Sequence, residues 1–339
     1  MRRRGAVLLL ALLILLAQPG SALAGPRLSY WGAWIGRQLT GEEAPWDMDA
    51  ATQFEERVGH RLSLIEFSAP FASCEPACHF NPFPLTPLEQ IRSHGAIPLF
   101  SWNSGASGGG DQSKFGLAEL RSGRYDRYIR YFARNAAAWG RPFFLRFDWE
   151  MNGSWFPWGA GVNDNQAGEF VLAWRHVHRI FEQAGATNVS WVWCPFVGTG
   201  LRQFYPGDRY VDWTGLDGYN WGPESPLALP WQTFDQLFAA SYRRVARIAP
   251  EKPMMVAEVA STGSDEAKAG WIGEMFASLR RGYPKVRGLV WFDKADRDAQ
   301  WPVENLPAAS AAFAEGLDGG YKQNVFSHLK RSPIPPPGP

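Results

Sequence analysis

The sequence predicts a single-domain (β/α)8 barrel, and three observations support that fold. Eight short apolar segments recur along the chain, helical stretches separate several of them, and most of the segments are near-continuously apolar rather than alternating. Continuous apolar runs are typical of parallel strands buried on both faces, and a (β/α)8 barrel needs eight such strands in roughly 250 residues or more. A doubly wound sheet is the alternative, but no glycine-rich phosphate-binding fingerprint follows the first segment.

The predicted strands cover residues 28–35, 62–68, 97–102, 143–150, 189–196, 211–219, 254–260 and 286–292. Helical periodicity is clearest over residues 124–139, 168–185, 234–249 and 269–282. The stretch FYPGDRY, between the fifth and sixth strands, predicts a loop where a barrel helix is expected.

The two ends of the chain differ from the barrel region in composition. Residues 1–24 combine three arginines, an apolar run and the sequence Ala22-Leu23-Ala24, a pattern that predicts a cleaved signal peptide and a secreted or periplasmic protein. Residues 25–328 form the predicted domain, and the proline-rich residues 329–339 predict a disordered tail. We expect a monomer with no membrane contact after cleavage. The net charge of +1 disfavours nucleic-acid binding.

The three cysteines are Cys74, Cys78 and Cys194. Export permits a disulfide, and Cys74 and Cys78 lie in the loop CEPAC, where a short bridge would staple the turn. The alternative is a metal site formed by these two cysteines with His79, but a fourth ligand at recognisable spacing is missing. The disulfide is therefore favoured, and we expect no metal.

Two glutamates stand at positions where a barrel places its functional groups. Glu150 ends the fourth predicted strand and Glu258 lies late in the seventh. Active sites of these barrels lie at the C-terminal ends of the strands, and buried carboxylates are costly unless they are paired. Two carboxylates facing one cavity are the requirement for glycoside hydrolysis, in which one donates a proton and the other attacks the sugar. The alternative is that each glutamate pairs with a nearby arginine such as Arg146.

Three segments of the chain are RFDWEMNGSWFPWG, FYPGDRYVDWTGLDGYN and MMVAEVAST. In their residues, order and spacing they together resemble glycoside hydrolase family 26, which contains endo-β-mannanases. The resemblance covers nearly the whole chain after the signal peptide. It implies a (β/α)8 barrel of the retaining type, with Glu150 as acid/base and Glu258 as nucleophile. It also implies that Tyr219 hydrogen-bonds Glu258.

Trp149 departs from the resembling family, which commonly has histidine immediately before the acid/base. By resemblance this position faces the sugar bound at the cleavage site, near its 2-hydroxyl. Indole donates one hydrogen bond and stacks, but it cannot accept a hydrogen bond. The departure leaves the chemistry intact and bears on sugar specificity, unless Trp149 only fills the barrel wall.

Four further residues are predicted to bind substrate. Trp155 and Trp158 follow Glu150 in a loop containing glycine and proline, and we expect them to stack on sugar rings. Trp291, near the end of the eighth strand, is expected to form the floor beneath the sugar. Asn152 either bonds sugar hydroxyls or holds loop backbone.

The sequence therefore predicts a retaining endo-β-glycanase that needs no cofactor and acts on a polysaccharide. The favoured substrate is β-1,4-mannan, because most members of the family that this chain resembles cleave it. A β-1,3/1,4-glucanase or β-1,3-xylanase is the alternative within that family. A non-catalytic polysaccharide-binding protein is the alternative outside it, although binding alone does not require a matched acid and nucleophile.

Overall fold

The computed structural model describes residues 29–74, 77–107, 112–223, 225–295, 299–323, 326 and 329–338. The predicted signal peptide, residues 1–24, lies outside these ranges. Within them, no helix is both long and apolar enough to cross a membrane.

Parallel strands in the described part of the chain close into an eight-stranded barrel, which confirms the predicted fold class. Each barrel strand pairs with the next one along the chain, and the first pairs also with the last. The barrel strands are β1 Ser29–Ile35, β2 Leu64–Cys74, β4 Ile97–Ser107, β5 Phe143–Phe147, β6 Val189–Trp193, β7 Trp213–Asn220, β8 Met254–Ser261 and β9 Val286–Asp293. Two short strands, β3 Cys78–Phe80 and β10 Tyr321–Lys322, pair with β2 and β1.

The four predicted helical stretches correspond to α4 to α7. Four further helices, one of which has only five residues, were not predicted. The helices are α1 Met48–Val58, α2 Leu85–His94, α3 Leu117–Arg121, α4 Asp126–Trp139, α5 Ala167–Gln183, α6 Phe234–Ile248, α7 Asp265–Gly282 and α8 Pro307–Leu317. Thr233 and Ser264 are the N-cap residues of α6 and α7. The hydroxyl oxygen of each accepts a hydrogen bond from a backbone N–H of the first turn. Between β6 and β7 the structure has two 3-10 turns and no α-helix, as the loop prediction required.

Aromatic side chains fill the layer between the barrel and its helices. Trp102 on β4 stacks on Phe132 of α4 with the ring centroids 4.2 Å apart. Trp174 of α5 packs against Phe147 of β5 at 5.9 Å. These rings are buried, so much of the tryptophan content stabilises the core and does not face a ligand.

One side of the barrel rim is extended. β2 and β4 are 11 residues long and remain paired as far as Ser73 and Ser107, whereas β5 has five residues. The short strand β3 folds back onto β2, and the structure joins Cys74 with Cys78 in a disulfide across this hairpin. The extension forms a wall above the C-terminal ends of the neighbouring strands.

The C-terminal segment is packed against the barrel, unlike the predicted disordered tail. The backbone N–H of Ile334 donates to Ser190 Oγ at 2.8 Å, and its carbonyl accepts from Trp213 Nε1 at 2.8 Å. Ser190 and Trp213 lie at the starts of β6 and β7. The segment therefore covers the N-terminal end of the barrel. Proline-rich composition favours an extended chain, and here that extended chain finds hydrogen-bond partners that composition does not reveal.

Candidate active site

A buried cluster of charges occupies the C-terminal end of the barrel. Arg146 of β5 donates to Glu66 of β2 at 2.5 Å and to Asp217 of β7 at 2.8 Å, and it also contacts Glu258 of β8. Its Nε donates to Ser101 Oγ at 2.8 Å. All four charged side chains are buried, and the guanidinium is fixed by partners from four other strands.

The carboxylates of this cluster compete for one cation. Burial raises the pKa of Glu66 and of Asp217 well above the usual range; Arg146 opposes this increase, and the charge of Glu258 adds to it. Because Arg146 carries one positive charge against three acidic groups, protons on Glu66 and Asp217 reduce the repulsion. Glu258 is the member of this cluster that also contacts Tyr219.

Glu258 is held by two donors. Arg146 Nη2 donates to Oε1, and the Tyr219 hydroxyl donates to Oε2. Burial and then the charge of Glu258 raise the pKa of Tyr219 well above its usual range, so the phenol keeps its proton. Both contacts stabilise the anionic form of a carboxylate. The sequence resemblance implied the Tyr219 contact, and the structure contains it.

Glu150 lies beyond the strand that was predicted to carry it. β5 ends at Phe147, and Asp148 and Glu150 have φ angles of 41° and 53°, in the left-handed region. Side chains other than glycine adopt this region rarely and at a cost. Ser104 compensates by donating its N–H and hydroxyl to the Asp148 carboxylate at 2.7 and 3.0 Å, and the Glu150 N–H donates to the Cys194 carbonyl at 2.8 Å. The turn directs Glu150 into the barrel mouth.

Glu150 is protonated at neutral pH. Burial, followed by the nearby charge of Glu258, raises its pKa to about 8. A hydrogen bond from Trp155 Nε1 to Glu150 Oε2, 2.5 Å long, opposes the increase. The raised pKa favours the protonated form of Glu150, whereas both oxygens of Glu258 accept hydrogen bonds, from Arg146 and from Tyr219.

Trp155 is the exposed aromatic residue of this loop, with 53% of its surface accessible. Its ring lies over Gly153, where a Cβ atom would come within 2.4 Å of the indole, so glycine permits this position. Trp155 thus offers an open face beside Glu150, consistent with the predicted stacking role.

Trp149 and Trp158 are both buried. Trp158 is 2% exposed, stacks on Phe156 at 4.5 Å and donates its indole N–H to the Trp149 carbonyl at 2.7 Å. Phe156 covers one face of the Trp158 ring, which also lines the cavity described below, so its stacking on a sugar remains a prediction. The Trp149 ring contacts the Arg146 guanidinium at 4.9 Å, so it fills the barrel wall while lining the cavity described below.

Asn152 holds loop backbone, the second of its two predicted roles. Its amide nitrogen donates to the Phe196 carbonyl at 2.9 Å, and its amide oxygen accepts the Phe196 N–H at 2.9 Å. These bonds tie the loop after β5 to the loop after β6. A substrate contact of Asn152 remains a prediction that depends on its second amide hydrogen.

Trp291 does not form the floor of the site. Its ring is fully buried against Phe313 of α8 at 4.9 Å, on the outer face of β9. The next residue, Phe292, points to the opposite face and contacts Tyr219 at 5.5 Å. Successive strand residues alternate between faces, and the near-continuous apolar run gave no signal as to which face is inner. Trp301, in the loop after β9, packs on Tyr219 at 5.2 Å and was also missed.

Two cavities meet at Trp155. The first, of about 690 Å³, lies on the side of the extended rim, and its lining includes Pro70, Asn103 and Trp149. We call it the rim arm. The second, of about 560 Å³, lies beside the loops after β6 and β7, and Glu150 and Tyr219 line it. We call it the loop arm. Together they form a cleft that passes Trp155, with Glu150 and Tyr219 in the lining of the loop arm.

The described part of the chain contains no group of three or more histidine, cysteine, aspartate or glutamate side chains arranged to hold a metal ion. The lining of the cleft includes the Glu150 carboxyl group, the Tyr219 hydroxyl group and the Trp155 ring. A carboxyl group with a raised pKa is suited to proton transfer.

Residues 88–269, just over half of the chain, match the model described as glycosyl hydrolase family 26. The chain belongs to glycosyl hydrolase family 26. The matched segment contains Glu150, Tyr219 and Glu258, and the resemblance seen in the sequence is confirmed.

The relatives of this family 26 chain include proteins with different names. Endoglucanase H of Acetivibrio thermocellus is 33% identical over 302 residues, which cover 85% of this chain and 30% of that protein. A mannan endo-1,4-beta-mannosidase of Bacillus subtilis is 35% identical over 176 residues, or 49% of this chain and 44% of the relative. The chain spans less than half the length of the curated relatives it matches.

Solved structures support the fold. The catalytic domain of the family 26 endo-beta-1,4-mannanase from Bacillus sp. JAMB-750 superposes with a TM-score of 0.64 at 18% identity and covers 90% of each chain. Bacillus subtilis mannanase BCman gives a TM-score of 0.60 at 18% identity over 88% of each chain.

Proposed function

We propose that this family 26 member is an endo-acting β-glycanase that works by retaining double displacement. The observation that carries the proposal is the pairing of Glu150, whose pKa is raised to about 8, with Glu258, which accepts hydrogen bonds from Arg146 and Tyr219. Retaining glycosidases need one carboxyl group that donates a proton and one carboxylate that attacks. The open cleft, whose two arms meet at Trp155 beside Glu150, is consistent with cleavage inside a polymer.

In the first step, a Glu258 oxygen attacks the anomeric carbon and the bond from that carbon to the glycosidic oxygen breaks. Glu150 transfers its proton to the departing oxygen, so the leaving sugar departs as an alcohol. In the second step, ionised Glu150 takes a proton from water while the water oxygen attacks the same carbon. Glu258 is released as a carboxylate, and the product keeps its β configuration.

β-1,4-mannan is the first substrate candidate. Relatives named mannan endo-1,4-beta-mannosidase match about half of this chain at up to 35% identity, and the structural neighbours described above are mannanases. A β-glucan is the second candidate, because the match to Endoglucanase H extends over 85% of the chain. Relatives named beta-1,3-xylanase match 63% of the chain at 25% and 22% identity, so β-1,3-xylan belongs in the same test.

The site favours an enzyme over a polysaccharide-binding protein. Binding alone gives no reason to bury two acidic groups side by side, because desolvation of carboxyl groups is costly. The predicted signal peptide supports the further proposal that the enzyme acts outside the cytoplasm. No cofactor is expected in the proposed chemistry.

The proposal is tested with purified protein on mannan, glucomannan, lichenan and β-1,3-xylan. We expect shortening of one of these polymers into oligosaccharides, measured by viscosity and by product size, with none from the Glu258→Gln variant. Proton NMR during the first minutes gives the anomeric configuration of the new reducing end. A β-anomer supports retention, whereas an α-anomer as the first product would contradict the assignment of Glu258 as nucleophile.

A further inference from the structure

The loop arm has an aliphatic wall that faces the proton donor. Its members come from the loop after β6, the loop after β7 and the first turn of α6. We call the set Val197, Leu227, Leu229 and Leu237 the aliphatic wall. Leu227 and Leu229 are 57% and 39% exposed, so this wall presents branched apolar surface to solvent inside the cleft.

A bare sugar unit is poorly matched to this wall. Sugar rings bind through flat aromatic faces and through hydrogen bonds to their hydroxyl groups, and aliphatic side chains provide neither. Trp155, Phe196, Tyr219 and Trp221 supply the aromatic surface of the arm. Sugar hydroxyls pressed against the leucines would lose their water partners without replacement.

The loop arm is also lined by the polar side chains of Ser241, Gln236 and Arg244. Ser241 Oγ is bonded to the Gly198 backbone, and Gln236 Oε1 caps α6 by accepting the Thr233 N–H. Arg244 donates one N–H to the Gly198 carbonyl at 3.3 Å, and a guanidinium carries further N–H donors. The arm therefore combines an apolar surface with a donor that suits a carbonyl oxygen.

We propose that the loop arm binds a sugar unit that carries an O-acyl group. The methyl end of an acetyl ester would contact Leu227 and Leu229, and its carbonyl oxygen would accept from Arg244. Since Glu150 lines this arm, the acylated unit would lie on the side of the proton donor. The inference rests on the proposed function and identifies the substrate as an esterified polysaccharide.

The test uses glucomannan in its natural O-acetylated form and the same polymer after mild alkaline deacetylation. The measured quantity is the ratio of kcat/KM on the acetylated polymer to kcat/KM on the deacetylated polymer. Burial of one methyl group changes an equilibrium by about fourfold. We expect the Leu227→Asn/Leu229→Asn double variant to lower this ratio by about that factor relative to the unmodified protein.

Leu172 of α5 provides the matched control, because it is 46% exposed and does not line the loop arm. Leu172→Asn should leave the ratio unchanged. If the double variant has a lowered Tm, Leu227→Asn alone repeats the measurement at the more exposed position. An unchanged ratio in a folded double variant would overturn the inference about acyl groups. If the unmodified protein cleaves neither form and none of the other polymers, the proposed function itself fails.

Discussion

The two candidate catalytic carboxyl groups are almost equally buried but differ in what surrounds them. Glu258 is 3% exposed and Glu150 is 5% exposed. Glu258 lies within a regular strand and contacts a guanidinium and a phenol. Glu150 lies in a strained turn and accepts a hydrogen bond from a neutral indole. Burial alone therefore does not assign their roles.

The difference teaches how one cavity can hold an acid and a nucleophile. A cation beside Glu258 stabilises its charge, whereas Glu150 has no cation of its own and is influenced by the charge of Glu258. The charge of Glu258 thus helps to raise the pKa of Glu150. A variant that alters the surroundings of either residue tests this comparison. We call Arg146, Glu66, Asp217 and Glu258 the strand cluster. Variants of the strand cluster and variants of the loop after β5 are expected to impair the protein in different ways.

Replacing Glu258 with glutamine should have the largest effect. The amide fits the same space but cannot attack the sugar, so we expect kcat to fall on the order of 10⁶-fold, as for removal of other catalytic nucleophiles. Initial rates on the best substrate of the polymer panel measure this loss, with circular dichroism to check folding. A loss of only about tenfold would show that another group is the nucleophile.

Replacing Glu150 with glutamine should have a smaller effect that depends on the leaving group. Loss of a general acid costs about 10² to 10⁴ in rate on polysaccharide. An aryl glycoside with an acidic phenol leaves without protonation, so its first step should be much less impaired. Both substrates are assayed with the same variant, and equal losses on the two would remove Glu150 from the acid role.

Replacing Arg146 with methionine tests the strand cluster through stability. The change leaves Glu66, Asp217 and Glu258 without their shared cation, and breaking a buried ion pair costs about 3–5 kcal/mol. Urea denaturation measures this free energy of unfolding. Arg209→Met is the control, because the exposed Arg209–Glu182 pair should contribute about 1 kcal/mol or less. Equal losses in the two variants would show that the cluster does not depend on Arg146.

The strand-borne half of the site was more accessible to prediction than the loop half. Glu258 and Tyr219 lie in the strands β8 and β7. The apolar runs of these strands and their order along the chain predict the barrel, and the barrel places the C-terminal ends of its strands at one edge. Glu66 and Asp217 could have been identified in the same way, since each is an acidic residue inside an apolar strand. Alternation alone could not assign Trp291 and Phe292, because both faces of β9 are buried.

The loop half depends on contacts between distant segments. The left-handed conformations of Asp148 and Glu150 are maintained by Ser104 and Cys194, residues that local sequence does not connect with them. The burial of Trp158 depends on Phe156. The packed C-terminal segment likewise depends on Ser190 and Trp213. Tertiary partners override local preference at each of these points.

Replacing Trp155 with phenylalanine should have the smallest effect and tests the loop half alone. Glu150 acts as an acid while it is protonated, so kcat/KM should fall as the pH rises through its pKa of about 8. The Trp155 N–H stabilises the ionised form and lowers that pKa, and its removal should therefore move the alkaline limb to higher pH, by up to about one unit for a neutral hydrogen bond. Trp158→Phe is the control, because its indole donates to the Trp149 carbonyl and to no carboxylate. A limb that moves to lower pH in Trp155→Phe, or equally in both variants, would contradict the assignment of that limb to Glu150.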